Sequence, residues 1–242
     1  MAGQRVGENN QDLLICWVQR NIRILIIFAT GLVAMYVFNF WMGQPSWNLT
    51  RLIDLDGEGN LPTWFSNFLW ICVAGATLHL AVALERQGRI QSQFWKFAGV
   101  VFLCLSMDEI AQLHEKLGQA INNKLVPVHF HWSPWVVLLG PFLLLAAAVF
   151  LNMIYRQLRN DSKVCKKVFG GLILFIFAAY FLDLSVFFFN RNLHPNLYFG
   201  EVALEEYLEM LGAILVLSGI LDFSQKIVGH SHLIPEAGVS RK

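Results

Sequence analysis

The chain alternates between long apolar runs and short polar segments. Six of the runs are long enough to cross about 30 Å of hydrocarbon as helices, which takes about 20 residues each. The runs are continuous and lack the every-second-residue alternation of membrane strands. The six predicted spans are residues 22–43, 64–84, 97–117, 134–155, 168–188 and 201–221. The pattern predicts an all-α, polytopic integral membrane protein with a six-helix transmembrane bundle.

The composition agrees with this class. Hydrophobic residues make up 56% of the chain and charged residues 14%, whereas soluble domains carry about 25% charged residues. Soluble, disordered, collagen-like and disulfide-scaffold proteins are therefore excluded. The net charge of +1 gives no reason to expect nucleic acid. The expected environment is a lipid bilayer.

The Lys and Arg residues predict an orientation. Of the 18 in the chain, 14 lie on the side that holds both tails and two of the loops between spans. Cytoplasmic segments carry the excess of Lys and Arg, so both termini are expected to be cytoplasmic. The short loops favour a bacterial inner (plasma) membrane. The predicted divisions are a tail at 1–21, one six-helix domain at 22–222 and a tail at 223–242.

Acidic residues show the opposite bias, with 11 of the 17 on the outer side or in the outer halves of the spans. Asp and Glu contribute little to topology, so orientation does not explain them. A carboxylate at a helix centre costs roughly 2.5–3.5 kcal/mol on insertion scales. The acids are therefore expected to face the bundle interior, water or cations. Eight lie in or at the ends of the spans: Asp108, Glu109, Glu115, Asp183, Glu201, Glu205, Glu206 and Glu209.

The depth and helical phase of the acids relate two of the spans, the third and the sixth. Asp108 lies about 14 Å below the end of the third span, and Glu209 about 12 Å below the start of the sixth. In a continuous helix, Asp108 and Glu115 would share one face with Gln112. Glu205 and Glu209 are one turn apart, where unpaired carboxylates repel. Protons, His or metal are needed to relieve that repulsion.

Carboxylates and imidazole together are the ligands of Zn, Fe or Mn. A divalent metal ion of this kind is therefore the expected cofactor. The acidic loop at 53–62 lies on the side from which it could cover the site. Glu109 and Glu206 are the predicted acid/base residues. The predicted metal ligands are Asp108, His114, Glu115, Asp183, His194, Glu205 and Glu209.

Three hypotheses about function stay open. The first is a metal-dependent membrane enzyme, a hydrolase or an oxidase, acting on a lipidic or small external substrate. The second is a proton or cation transporter or channel that uses the carboxylates, although no acidic ladder continues to the cytoplasmic face. The third is an accessory or assembly subunit that binds other membrane subunits. Glu205-Glu206 begins the Glu-Glu-x-x-x-Arg pattern of glutamate intramembrane proteases, but Met210 replaces the Arg, so no family is indicated.

Overall fold

The computed structural model describes residues 20–125, 134–185 and 195–231, which are helical apart from turns and short loops and contain no strand. Within α8, residues Phe177–Leu182 have π-helical hydrogen bonding. The predicted all-α class is confirmed. In chain order the helices are α1 (Ile22–Trp41), α2 (Trp47–Leu52), α3 (Leu61–Arg86), α4 (Ser92–Ala111), α5 (Leu113–Leu125), α6 (Pro134–Leu138), α7 (Gly140–Leu158), α8 (Ser162–Ser185) and α9 (Pro195–Ser231).

Five of these helices are long and apolar enough to cross a membrane: α1, α3, α7, α8 and α9. This supports a multi-pass membrane protein. The remaining predicted span, the third at 97–117, corresponds to α4, which has 20 residues but carries Lys96, Asp108 and Glu109. The count of six spans and the cytoplasmic placement of both termini stay predictions.

Two predicted spans are interrupted, so their boundaries were wrong. The span at 97–117 breaks at Gln112, whose left-handed backbone (φ 48°) ends α4 at Ala111. The span at 134–155 divides at Leu139 into α6 and α7, and Pro141 occupies the first turn of α7. Pro is tolerated in the first turn of a helix because a backbone N–H at that position would have no acceptor within the helix.

The last helix is much longer than the predicted span at 201–221. α9 has 37 residues, or about 55 Å at 1.5 Å per residue. It starts at Pro195, because Pro is well suited to the first helical position. It also continues to Ser231, nine residues into the segment predicted as a tail. α9 packs against α1, α3 and α8 and forms the centre of the bundle.

The packing between α8 and α9 depends on two glycines. A Cβ on Gly171 would lie 2.7 Å from the carbonyl oxygen of Gly212. A Cβ on Gly212 would lie 2.8 Å from the carbonyl oxygen of Gly171. Small residues allow helix backbones to approach closely in membranes. This contact fixes α9 against α8.

Charged residues are concentrated at the two ends of the bundle. We call one the basic end, where Nζ of Lys167 lies 2.6 Å from Oδ2 of Asp222 and Lys226 pairs with Asp161. We call the other the acidic end. It consists of the loop at 53–60, the α4–α5 turn, α5, the last residues of α8 and the first half of α9.

Candidate functional site

A fixed loop forms one wall of the acidic end. Ile53 and Leu55 are buried, with 1% and 5% of their surfaces exposed. The hydroxyl of Tyr198 donates a hydrogen bond to Oδ1 of Asp56 at 2.6 Å. These contacts hold the loop against α9. They place Glu58 beside the α4–α5 turn, where it interacts with Gln112 and Glu115.

The α4–α5 turn creates the central pair of the site. The backbone N–H of Gln112 donates to the carbonyl oxygen of Asp108 at 2.7 Å, and Gln112 takes the left-handed conformation. The chain then folds back, so that the N–H of His114 donates to Oδ1 of Asp108 at 3.0 Å. Nδ1 of His114 lies 2.5 Å from Oδ2 of Asp108. In a continuous helix these two residues, six apart, would lie on different faces.

His114 is held on two sides. Asp108 occupies Nδ1, which leaves Nε2 as the nitrogen able to bind a proton or a metal ion. The ring packs edge-on against Trp135, with 4.5 Å between ring centroids. Burial disfavours the charged imidazole, but the hydrogen bond and negative charge of Asp108 outweigh it, so the pKa of His114 is raised.

The surrounding negative charge affects the pKa values of two carboxylates outside the spans. Burial raises the pKa of Glu58, and the charge of Glu115 adds to this effect. Burial also raises the pKa of Glu115; the charge of His114 opposes this effect, and the charges of Asp183 and Asp108 add to it. Both side chains therefore bind protons more readily than an ordinary Glu.

The acids of α9 continue this environment into the bundle. Glu206 interacts electrostatically with Glu109 of α4 and with Glu58 of the loop. Glu209 interacts with Glu206 and Glu109, and Glu205 interacts with Asp183 at the end of α8. The strongest electrostatic partners of all three α9 residues are other carboxylates. Their repulsion has to be relieved by protons or cations.

The predicted metal centre is not supported as a preformed site. Within 20–125, 134–185 and 195–231, no three His, Cys, Asp or Glu side chains are grouped to hold one metal ion. The break at Gln112 removes the single helix face that was expected to carry Asp108 and Glu115, and Asp108 is hydrogen-bonded to His114 instead. His194 lies outside the described residues. The other predicted ligands, Asp108, His114, Glu115, Asp183, Glu205 and Glu209, lie on α4, α5, α8 and α9.

A contact with α1 indicates the depth of the α9 acids. The hydroxyls of Thr30 and Tyr207 lie 3.0 Å apart. Thr30 is the ninth residue of the 20 in α1, so Tyr207 lies beside the middle of a helix able to span a membrane. Glu206 directly precedes Tyr207, and Glu209 follows it by two residues. The predicted mid-membrane depth of Glu209 is consistent with this contact.

A packed apolar core lies between these acids and the basic end. Met210, Ile214 and Leu217 are buried, with at most 1% of their surfaces exposed. The residues of α9 between Glu209 and Ser218 are all apolar or Gly, a distance of about 14 Å. This arrangement favours a closed site over a continuous polar path along α9.

Sequence reasoning did not single out three residues that shape the site. Glu58 was noted only as part of an acidic loop. Its predicted position on the outer side, where the other acids lie, was the signal that could have identified it. Gln112 was assigned to a helix face, because a left-handed Gln leaves no mark in the sequence pattern. Nothing in the sequence indicates that Trp135 packs on His114.

Comparison with known proteins gives a family. No curated protein and no solved structure matches the chain. One family model matches residues 24–222, which extend from α1 into α9 and include the loop at 53–60 and every acid discussed above. The chain belongs to the family described as a domain of unknown function (DUF8692).

Proposed function

We propose that this protein is a metal-dependent membrane enzyme whose acidic end binds a divalent ion, Zn, Fe or Mn, beside His114. The observation that carries the proposal is the hydrogen bond between Asp108 and Nδ1 of His114. A carboxylate on one ring nitrogen is the usual support of a His whose other nitrogen binds metal. Asp108 is thus assigned as the residue that orients the ligand His114.

The carboxylates supply the rest of the proposed ligand set. Glu58, Glu109 and Glu206 interact electrostatically with one another. A divalent ion would relieve their repulsion and accept their oxygens as ligands. Because the described side chains do not converge on one point, binding requires at least two Glu side chains to turn toward His114. Their flexible side chains allow such a movement.

The chemistry of this ion would take one of two forms. When bound, Zn or Mn would supply Lewis-acid chemistry suited to the hydrolysis of an ester or amide, whereas Fe would supply redox chemistry. With Glu58 and Glu206 as ligands, Glu109 would serve as the acid or base in proton transfer. The membrane depth of the site suits a lipidic substrate, and the loop at 53–60 adjoins the external side of the predicted topology.

Thermal unfolding of the detergent-purified protein tests the proposal. We expect Zn²⁺, Mn²⁺ or Fe²⁺ at about 100 times Kd to raise Tm by about 5–10 °C, because binding to the folded state stabilises it by about 2.7 kcal/mol. His114→Gln and Glu206→Gln should remove most of the rise. Glu85→Gln, the same change at the basic end, is the matched control. Equal rises in all four proteins would contradict the proposed site.

A second candidate is proton or cation transport. The observation in its favour is that the strongest electrostatic partners of Glu205, Glu206 and Glu209 are carboxylates, which protons can neutralise. The apolar core below Glu209 weighs against a continuous path. Proton flux in liposomes that is lost in Glu209→Gln and kept in Glu85→Gln would favour transport. The accessory-subunit hypothesis stays a prediction.

A further inference from the structure

A groove on the outer surface of α1 lies apart from the acidic residues. It has a volume of about 440 Å³. Its lining is apolar except for two hydroxyl groups and the indole N–H of Trp41 at one end, and most of its side chains are exposed on a helix able to span a membrane. It is lined by Thr30, Val33, Ala34, Val37, Phe38 and Trp41 of α1, together with Tyr207 of α9.

Both hydroxyl groups in the lining are already engaged. Oγ1 of Thr30 donates to the carbonyl oxygen of Ile26 at 2.8 Å and lies 3.0 Å from the hydroxyl of Tyr207. An occupant of the groove therefore needs no polar group to pair with these hydroxyls. An occupant gains by burying hydrocarbon there.

The length of the groove matches one leaflet of a bilayer. Thr30 and Trp41 are eleven residues apart on α1, or about 16 Å, and half of a hydrocarbon core is about 15 Å. Trp41 closes the groove at the acidic end and is 82% exposed. Trp at this position is typical of the boundary between hydrocarbon and headgroups.

We propose that this groove binds one acyl chain of a bilayer phospholipid from the leaflet at the acidic end, with the headgroup beyond Trp41. The depth, the length and the satisfied hydroxyls fit a single extended hydrocarbon chain. The inference goes beyond the proposed function and does not depend on metal binding. It places a lipid chain against Tyr207, the residue that follows Glu206.

The test is photo-crosslinking in phosphatidylglycerol vesicles that contain a phospholipid with a diazirine in one acyl chain. We expect crosslinks to Ala34, Val37 and Phe38 to exceed, several-fold, those to lipid-facing residues of α7. Phe142 and Leu145 are suitable references there, since they are 74% and 67% exposed.

Two matched variants separate the groove from general lipid contact. Ala34→Trp fills the groove and should reduce crosslinking to Val37 and Phe38 several-fold. Ala148→Trp makes the same change on the exposed face of α7 and should leave it unchanged. Val37→Trp is a second groove-filling variant, in case Ala34→Trp does not fold. Even labelling of α1 and α7, or crosslinks from the groove to a second copy of the chain, would overturn the proposal.

Discussion

At the residue scale, one backbone conformation determines the site. Gln112 takes a positive φ, which costs a residue with a side chain about 1–2 kcal/mol relative to the right-handed conformation. In return, the chain reverses within two residues and His114 meets Asp108. The sequence could predict that acids and a His lie at this depth. It could not predict the pairing of His114 with Asp108, because a continuous α-helix would place these two residues on different faces.

Asp108→Asn tests the pairing in metal-free protein. Since the negative charge of Asp108 stabilises the charged imidazole, we expect the pKa of His114 to fall in the variant. Histidine NMR in detergent measures this, and His114→Gln assigns the signal. Asp161→Asn, at the basic end, should leave it unchanged.

The same pair predicts a pH dependence of stability with a definite sign. The pKa of His114 is raised in the folded protein, so its contribution is fully present below the ordinary His value of about 6.5. That contribution is lost as the pH rises through the folded pKa of His114. Asp108→Asn should flatten this part of the stability profile, and a profile identical to that of the unaltered protein would show that the pair does not form.

At the element scale, the apolar pattern predicts where helices lie but misses their interruptions. The π-helical residues Phe177–Leu182 in α8 change the register of the helix directly before Asp183. A continuous apolar run gives no sign of this, because an extra residue per turn leaves the composition unchanged. The break at Leu139 did have a signal, because a Gly-Pro pair such as Gly140-Pro141 marks a helix boundary. Tyr180 packs so closely on Gly140 there that a Cβ would overlap its ring.

Adjacent glycines in α8 test the packing of α8 against α9. A Cβ on Gly171 would lie 2.7 Å from a backbone oxygen of α9, whereas a Cβ on Gly170 meets nothing within 4 Å. We expect Gly171→Ala to destabilise the protein by about 1–3 kcal/mol through overpacking. Gly170→Ala should be neutral or stabilising by up to about 1 kcal/mol, because Ala is the better helix former.

Thermal unfolding of the two Ala variants in the same detergent measures this difference. Circular dichroism before heating should show equal helix content in both. Equal Tm values would mean that α8 and α9 can move apart without loss of stability. The close contact would then not hold the bundle together.

At the scale of the whole molecule, the contacts of α9 bear on the number of spans. Nε2 of Gln87, in the loop before α4, donates to the carbonyl oxygen of Ile227 at 3.1 Å. Asp161, in the loop after α7, pairs with Lys226. Both loops therefore meet the same end of α9. This arrangement favours the predicted crossing of the membrane by α4, although the charged residues of α4 weaken its apolar signal.

Cysteine accessibility tests that topology. In a chain with the native cysteines replaced, Arg89→Cys and Asn160→Cys should be labelled by a membrane-impermeant thiol reagent from one side only. Asn48→Cys, in the exposed helix α2, should be labelled from the other side. If α4 does not cross, Arg89→Cys and Asn160→Cys would be labelled from opposite sides.

The central claim is that the Asp108–His114 pair and the α9 acids form one cation site. The most direct measurement is the metal content of the detergent-purified protein by mass spectrometry, beside Asp108→Asn, Glu206→Gln and the control Glu85→Gln. We predict about one Zn, Fe or Mn per chain, as in a single-metal catalytic site, in the unaltered protein and the control, and its loss from the other two variants. Unchanged metal content in both site variants, or no metal in any sample, would contradict the account.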